Sequence, residues 1–324
     1  MDTFDFAEAY THAPEAVVVP PGRPNTLDAL EVVPTDRAVG AEIRGVDLAK
    51  PISEELAEAI RQAWADHLVV LFRDQKLETD NYIDAAQIFG KTQVAANKKY
   101  YDDAKKKSLY NIMGEDISIL CNLGPDGKPV EKNDGLGSLE VIWHSDNSYI
   151  ERPPAGSTLY SLVIPNDNSG QTSFNNQYLA YDELPEDLRK AIDGKQAKHD
   201  ATRNSANVLR PGVTEPTCPE EVPGPFHPMV RIHPVTGKKA LYLGRRRTWP
   251  SQYIEGMPND SEDLLDRLWA HATQPKYAWT HEWQVGDFLV WDNQCAMHRR
   301  EVVNSALPRV MWRSQFTGDD IIPG

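Results

Sequence analysis

A β-sandwich or barrel core with helices packed outside it is the fold this chain predicts, and three observations predict it. Short β-branched and aromatic runs (VVLF, LEVIW, STLYSLVI, TSFNN, DFLVWD, RVMWRSQFT) dominate the middle and end of the sequence. Helical spacing is confined to a few amphipathic stretches between them. No repeat and no convincing domain boundary interrupts the pattern, which leaves one strand-built core decorated by helices.

Taken in order, the chain opens on a Pro- and Ala-rich stretch with little periodicity, read as an extended arm over residues 1–34, followed by a single domain over 35–324. LEVVPTDRAVGAEIRGVDL offers β-rich pieces broken by Gly40 and Gly45. Ser53 is an N-cap, with Glu54 and Glu55 in the first turn where the helix dipole favours acids. Leu56, Ile60, Trp64 and His67 follow at helical spacing, and Val69 to Phe72 reads as a buried strand. A second helix is expected from Thr79 to Phe89, stopped by Gly90. Lys91 to about Gly137 is polar and irregular, the kind of long loop that serves as a lid or substrate loop. Strand signals return from Ser138, helical ones at Leu184 to Ile192 and Asp260 to Ala272, and MVRIHPVTGKKALYLG reads as a hairpin turning at Pro234 to Lys238.

Composition removes several function classes. Hydrophobic residues make up 40% and charged residues 25%, so a packed core forms and disorder is not the reading. A net charge of -14 repels phosphate backbones, which argues against nucleic acid as a partner while leaving room for a local positive field around a small anion. No apolar run reaches the roughly 18 residues of a membrane span. Cys121, Cys218 and Cys295 are isolated and odd in number, so neither a disulfide framework nor a cysteine zinc site is expected. With an acidic N-terminus unlike a signal peptide, these features point to the cytoplasm.

Of nine histidines, only His144 has a carboxylate two residues later, in WHSDNSY. In a strand, His144 and Asp146 would project to one face. His298, in GDFLVWDNQCAMHRR just beyond a strand ending near Trp291, is the best third donor. Two histidines and a carboxylate on one face, with positions left open, form the facial triad of non-haem Fe(II) oxygenases. By itself, a His-x-Asp spacing arises about once by chance in such a chain, and a histidine hydrogen-bonded to a nearby aspartate accounts for it as well.

The surrounding motifs resemble those of the taurine and phenoxyacetate dioxygenase (TauD/TfdA) family of 2-oxoglutarate-dependent enzymes. The resemblance spans about Leu30 to Phe316 and rests on AEIRGVDL, WHSDNSY, PPAGSTLYSLVIP, SGQTSF, YDELPEDLRKAI, HPVTGKKALYLG, GDFLVWDNQCAMHRR and LPRVMWRSQFTGD, in that order. It implies a double-stranded β-helix (jelly roll) flanked by helices, with Fe(II), 2-oxoglutarate and O2 as cofactor and cosubstrates. It makes His144, Asp146 and His298 the iron ligands. Arg309, eleven residues after His298, becomes the arginine on the distal carboxylate of 2-oxoglutarate, which a planar guanidinium grips through two parallel bonds. Thr172 matches the threonine on the same carboxylate, and Arg313 the arginine that holds a substrate anion or buttresses the cosubstrate. Asn293 and Trp291 are read as supporting residues.

Two departures bear on the substrate. Taurine-acting relatives carry a histidine soon after the FG pair; FGKTQVAANKKYY has none, and Tyr100 and Tyr101 are the substrate-binding candidates there beside Asn97, Lys98 and Lys99. The triplet Arg245-Arg246-Arg247 is another basic cluster; charge runs are usually solvated faces, and alternation would turn at most one or two of these residues inward. The resemblance implies hydroxylation of a small organic anion, with bond cleavage where the carbon bears a heteroatom, release of succinate and CO2, and a homo-oligomer. A non-catalytic metal- or organic-acid-binding β-helix protein and a zinc hydrolase are the alternatives; neither needs Arg309 and Thr172 beside the triad.

Overall fold

The computed structural model describes residues 9–10, 12–14, 24–96, 98, 116–133 and 136–324. β1 (Glu31–Pro34) and β2 (Ala41–Arg44) form an antiparallel hairpin, so the last residues of the expected arm belong to a sheet. Ser53 caps α1 (Glu54–His67), its hydroxyl accepting from the Leu56 N–H at 3.3 Å. Leu68, with φ of 65°, turns the chain into β3 (Val69–Phe72), which is buried along its length. α2 (Thr79–Gln87) buries Tyr82, Ala85 and Ala86. The segment expected to be irregular carries two strands, β4 (Thr92–Gln93) and β5 (Ser118–Cys121). Both are short and pair only with β16, a distant partner that local pattern does not reveal.

Beyond them come β6 (Val141–His144), β7 (Gly156–Val163) and β8 (Thr172–Asn176). The helices α3 (Gln177–Asp182) and α4 (Glu186–Ile192) follow. Small pairs are made by β9 (Gln196–Lys198) with β10 (Phe226–Pro228), and by β11 (Val230–Ile232) with β12 (Lys239–Leu241). After α5 (Glu262–Ala272) the chain closes with β13 (Ala278–His281), β14 (Phe288–Asp292), β15 (Ala296–Arg300), β16 (Val310–Phe316) and β17 (Ile322–Pro323).

Two sheets face each other. The larger runs β1-β2-β3-β14-β7-β16-β4, with β5 also on β16; the smaller runs β13-β8-β15-β6. Every pairing within them is antiparallel except β2 with β3. Alternation sorts the central strands onto two faces. Tyr160, Phe288, Val290, Trp312 and Phe316 pack beneath α1 and α2 with Ile60 and Tyr82. Leu159, Leu289, Trp291 and Met311 point the other way and meet Phe174 of the smaller sheet. Met297 turns outward from that sheet against Leu265, Leu268 and Trp269 of α5. The result is the jelly roll that the sequence implied, helices outside and two sheets inside; the central strands are buried on both faces, while β6 and β13 of the smaller sheet are partly exposed on the outer side.

Candidate functional site

The smaller sheet aligns one row of side chains across its strands. Phe174 of β8 is in register with His298 of β15, His298 with His144 of β6, and His144 bridges to Arg245. Residues directly opposite in antiparallel pairs share a face, so all four side chains are directed between the sheets. His298 therefore belongs to a strand of its own, β15, not to a loop beyond β14. Asp146 also departs from the alternation argument: β6 ends at His144, and Asp146 lies in the turn after it, with Asn147 at φ 47°. What aims Asp146 is Asn293, whose Oδ1 accepts from the Asp146 N–H at 2.6 Å and whose Nδ2 donates to the carbonyls of Asp146 and Pro154 at 3.0 and 2.9 Å.

The structure thus brings His144, Asp146 and His298 together, all buried, with ligand atoms within 4.8 Å of one another. Asp146 Oδ1 lies 3.6 Å from His144 Nε2 and 3.7 Å from His298 Nε2. Ligand atoms each about 2 Å from one ion sit roughly 3–4 Å apart, so the set suits a first-row metal. The remaining atoms agree. Asp146 Oδ2 is occupied, accepting from the Ser157 hydroxyl at 2.8 Å and facing Arg313 Nη2 at 2.5 Å, which leaves Oδ1 for the metal. His144 Nδ1 is 2.9 Å from the Ile142 carbonyl, to which it donates, so the lone pair is on Nε2. Burial, then Arg245, pushes the His144 imidazole down to about 4; burial, then His144, pushes His298 well below its usual value. Burial would raise the Asp146 carboxyl, but Arg313, His298 and His144 hold it well below the usual range. Neutral imidazoles and an ionised carboxylate are the states a metal requires.

In the same cavity lie Thr172, Arg300, Arg309 and Arg313, walled by Leu120, Leu159 and Trp291. Arg309 is 3% exposed, yet its Nε and Nη2 have no hydrogen-bond partner among the described residues. Burial, then Arg300, depresses its guanidinium far below the ordinary value, the mark of a charge with no anion beside it. Its backbone is fixed from both sides: its N–H donates to Asn122 Oδ1 at 2.8 Å, and its carbonyl accepts from the Asn122 N–H at 3.2 Å. Thr172 Oγ1 accepts from Trp283 Nε1 at 3.0 Å, so its hydroxyl proton is free to be donated into the cavity. Three arginines against one aspartate make a positive interior in an acidic chain.

Arg313 enters from β16 on the face shared with Met311, but its contact is with Asp146, so part of its guanidinium is committed to the triad. Tyr100 and Tyr101 lie outside the described residues. Of the arginine triplet, Arg246 turns out to Glu262 and Asp266, while Arg247 is buried. Several residues of the site were not singled out from the sequence: Ser205 and Arg300, which line the cavity, and Ser157 and Trp283, which hold Asp146 and Thr172. Arg300 alone had a signal, since it stands two residues after His298 in one strand; it is in register with Thr172 and donates to the carbonyls of Gly137 and Leu139. A second cluster, His233, Asp292 and Cys295, is already satisfied. His233 Nδ1 accepts from the Val235 and Thr236 N–H groups, so Nε2 carries the proton, donated to Asp292 Oδ2 at 2.8 Å.

Buried neutral histidines set an acid limit on the metal-free fold. His144, His199, His227, His281 and His298 all have lowered values, burial being the first cause in each. The unfolded chain takes these protons near pH 6.5 and the folded chain resists them, so stability is complete above that pH and is lost as the pH falls toward the folded values. For one histidine held near 4 the loss by pH 5 is on the order of 2 kcal/mol. The Tm in chelator should fall by several degrees between pH 7 and pH 5 in scanning fluorimetry; a flat profile would contradict the neutral assignment.

Comparison with known proteins agrees with this geometry. Residues 31–315 match the profile of the family described as "Taurine catabolism dioxygenase TauD, TfdA family". The chain is 28% identical to the (S)-phenoxypropionate/alpha-ketoglutarate-dioxygenase of Sphingobium herbicidovorans, over 90% of this chain and 96% of that protein. It is 32% identical to the alpha-ketoglutarate-dependent 2,4-dichlorophenoxyacetate dioxygenase of a Burkholderia species, over 77% and 82%. Among solved structures it resembles AAD-2 in complex with Mn(II) and N-oxalylglycine, with a TM-score of 0.76 at 28% identity, covering 90% of this chain and 99% of that one.

Proposed function

The chain belongs to the TauD/TfdA family, and from that premise we propose that His144, Asp146 and His298 hold its iron, that Arg309 and Thr172 hold 2-oxoglutarate, and that its substrate is a small organic anion. It is a non-haem iron, 2-oxoglutarate-dependent dioxygenase acting on a small organic compound. When bound, ferrous iron and the keto acid supply the oxidative chemistry, in which O2 is consumed, 2-oxoglutarate becomes succinate and CO2, and one oxygen atom enters a C–H bond of the substrate.

The residues of the chain do the positioning. Asn293 fixes the backbone at Asp146, while Ser157 and Arg313 occupy Oδ2 and keep Oδ1 turned to the imidazoles. Arg309 offers two unengaged donors and Thr172 one hydroxyl to a carboxylate between them. Leu120, Leu159 and Trp291 line the cavity with apolar surface, which keeps water from the reacting centre. The observation that carries the reading is the Arg309 guanidinium, with Nε and Nη2 unpartnered among the described residues, in the same cavity as the triad. A zinc hydrolase has no use for it, and a protein that only binds an organic acid has no need of the triad beside it. An anionic substrate is supported by the positive interior and by the carboxylates named for the two relatives.

No helix among the described residues is long and apolar enough to cross a membrane. Its three cysteines are unpaired, which supports a reducing cytoplasm.

The test is addition of Fe(II) and 2-oxoglutarate without oxygen. A weak visible absorption band is expected in the wild type and not in His144→Ala. Aerobically, succinate release should rise above the uncoupled background with aryloxyalkanoates, sulfonates or sulfate esters. Turnover confined to neutral compounds would refute the anionic substrate.

A further inference from the structure

We propose that Arg245 receives the anionic group of the substrate, at the end of the side-chain row that runs Phe174, His298, His144, Arg245 across the smaller sheet. The inference rests on the reading above and assigns the substrate end of the same site.

Register is the first support. As the bridge partner of His144, Arg245 projects its side chain to the face on which His144 meets Asp146 and His298. Backbone pairing locks this approach, since the Ser145 N–H donates to the Gly244 carbonyl at 2.9 Å. Direction is the second. Thr172 and Arg300, two residues from Phe174 and His298 in their strands, put the cosubstrate side toward β8 and β15. Arg245 stands beyond β6, on the opposite flank of the triad, so one anion at Arg309 and another at Arg245 would lie to either side of the metal.

Hydrogen bonding is the third support. One Arg245 nitrogen, Nη1, donates to the Ser205 carbonyl, while Nη2 is buried with no partner among the described residues. Ser205 itself lines the cavity, with its hydroxyl 3.4 Å from His144 Nε2. Arg247, two residues on, secures the adjoining turn through Asn207 Oδ1 and the carbonyls of Asn204 and Arg203. Arg247 spends both terminal nitrogens on that turn and only its Nε lacks a partner, whereas Arg245 keeps a terminal nitrogen, Nη2, in reserve. Arg313 approaches from the facing sheet and also keeps nitrogens without a hydrogen-bond partner, but its charge is set against Asp146 at 2.5 Å, whereas Arg245 makes no ion pair among the described residues. A carboxylate, sulfonate or sulfate group suits that geometry.

The experiment is isothermal titration of phenoxyacetate and its uncharged analogue phenoxyacetamide into full-length protein loaded with Mn(II) and N-oxalylglycine. Arg245→Gln should weaken the acid about thirtyfold or more and the amide less than threefold, because the amide side chain keeps a donor for Ser205 but no charge. Arg245→Lys should recover much of the loss. Equal weakening of acid and amide, or no change in either, overturns the proposal, as does a loaded wild type that binds no anion of the phenoxyacetate, alkyl sulfate or alkanesulfonate type. A wild type that takes up no N-oxalylglycine fails at Arg309 instead and takes down the reading of the whole site.

Discussion

Arg309→Met is expected to lose 2-oxoglutarate-dependent turnover at ordinary cosubstrate concentrations and, at the same time, to be more stable than the wild type when no ligand is present. Both halves follow from one observation, a buried guanidinium with Nε and Nη2 unengaged. Truncating one partner of a buried charge pair costs about 2–5 kcal/mol, so the KM for 2-oxoglutarate should rise by roughly thirtyfold to several thousandfold. In the ligand-free protein the same side chain is a charge without a counter-ion among the described residues, with Arg300 beside it. Replacing even a buried ion pair with apolar chains of similar size is often neutral or stabilising by about 1–4 kcal/mol, and a charge with no counter-ion has no Coulombic gain to lose. The backbone at residue 309 is held by Asn122 through main-chain atoms, so the substitution leaves that anchor intact. Thermal unfolding with and without 2-oxoglutarate, in Mn(II), reads both effects. The ligand should raise the wild-type Tm and not that of the variant. A variant less stable than the wild type without ligand would mean that Arg309 is structurally satisfied, and the cosubstrate assignment would lose its basis.

How much of this site is legible in sequence depends on whether the information is local. β3, β7, β14 and β16 are readable because strands buried on both faces give continuous apolar runs. His144 and Asp146 stand out as a short spacing, and Arg300 follows from alternation with His298. The elements that escape are those defined by a distant partner. β5 exists because β16 lies beside it, and Ser157 matters because the facing sheet delivers Asp146 to it. Trp283 acts by occupying the acceptor side of a hydroxyl 111 residues away. Arg245 is distinguished from Arg246 and Arg247 by a single bridge to His144. Even Asp146, found by a strand argument, is aimed by Asn293 from 147 residues away and not by strand alternation. Chemistry was written in residue type and spacing; orientation was written in register between sheets.

That distinction predicts a large difference between two substitutions on the same carboxylate. Asp146→Ala removes the one oxygen directed at both imidazoles and strands Arg313 in a buried position without its counter-ion. Metal binding should be lost at micromolar Fe(II), and turnover should fall at least about a thousandfold, since two imidazoles alone neither complete the triad nor neutralise the charge. Ser157→Ala leaves Oδ1 in place and deletes only the 2.8 Å bond to Oδ2. Arg313 still faces that oxygen, and Asn293 still fixes the turn, so metal affinity should drop by only about 10–100-fold, the usual scale for a group that orients a ligand. Anaerobic Fe(II) titration in the presence of 2-oxoglutarate separates the two, because excess iron should restore the Ser157→Ala protein and leave Asp146→Ala unchanged. Restoration of both by excess iron would mean that the carboxylate only orients neighbouring groups, and a third ligand would have to be sought elsewhere in the cavity. Failure of both would mean that the hydroxyl holds Asp146 in position more strongly than Arg313 and Asn293 together.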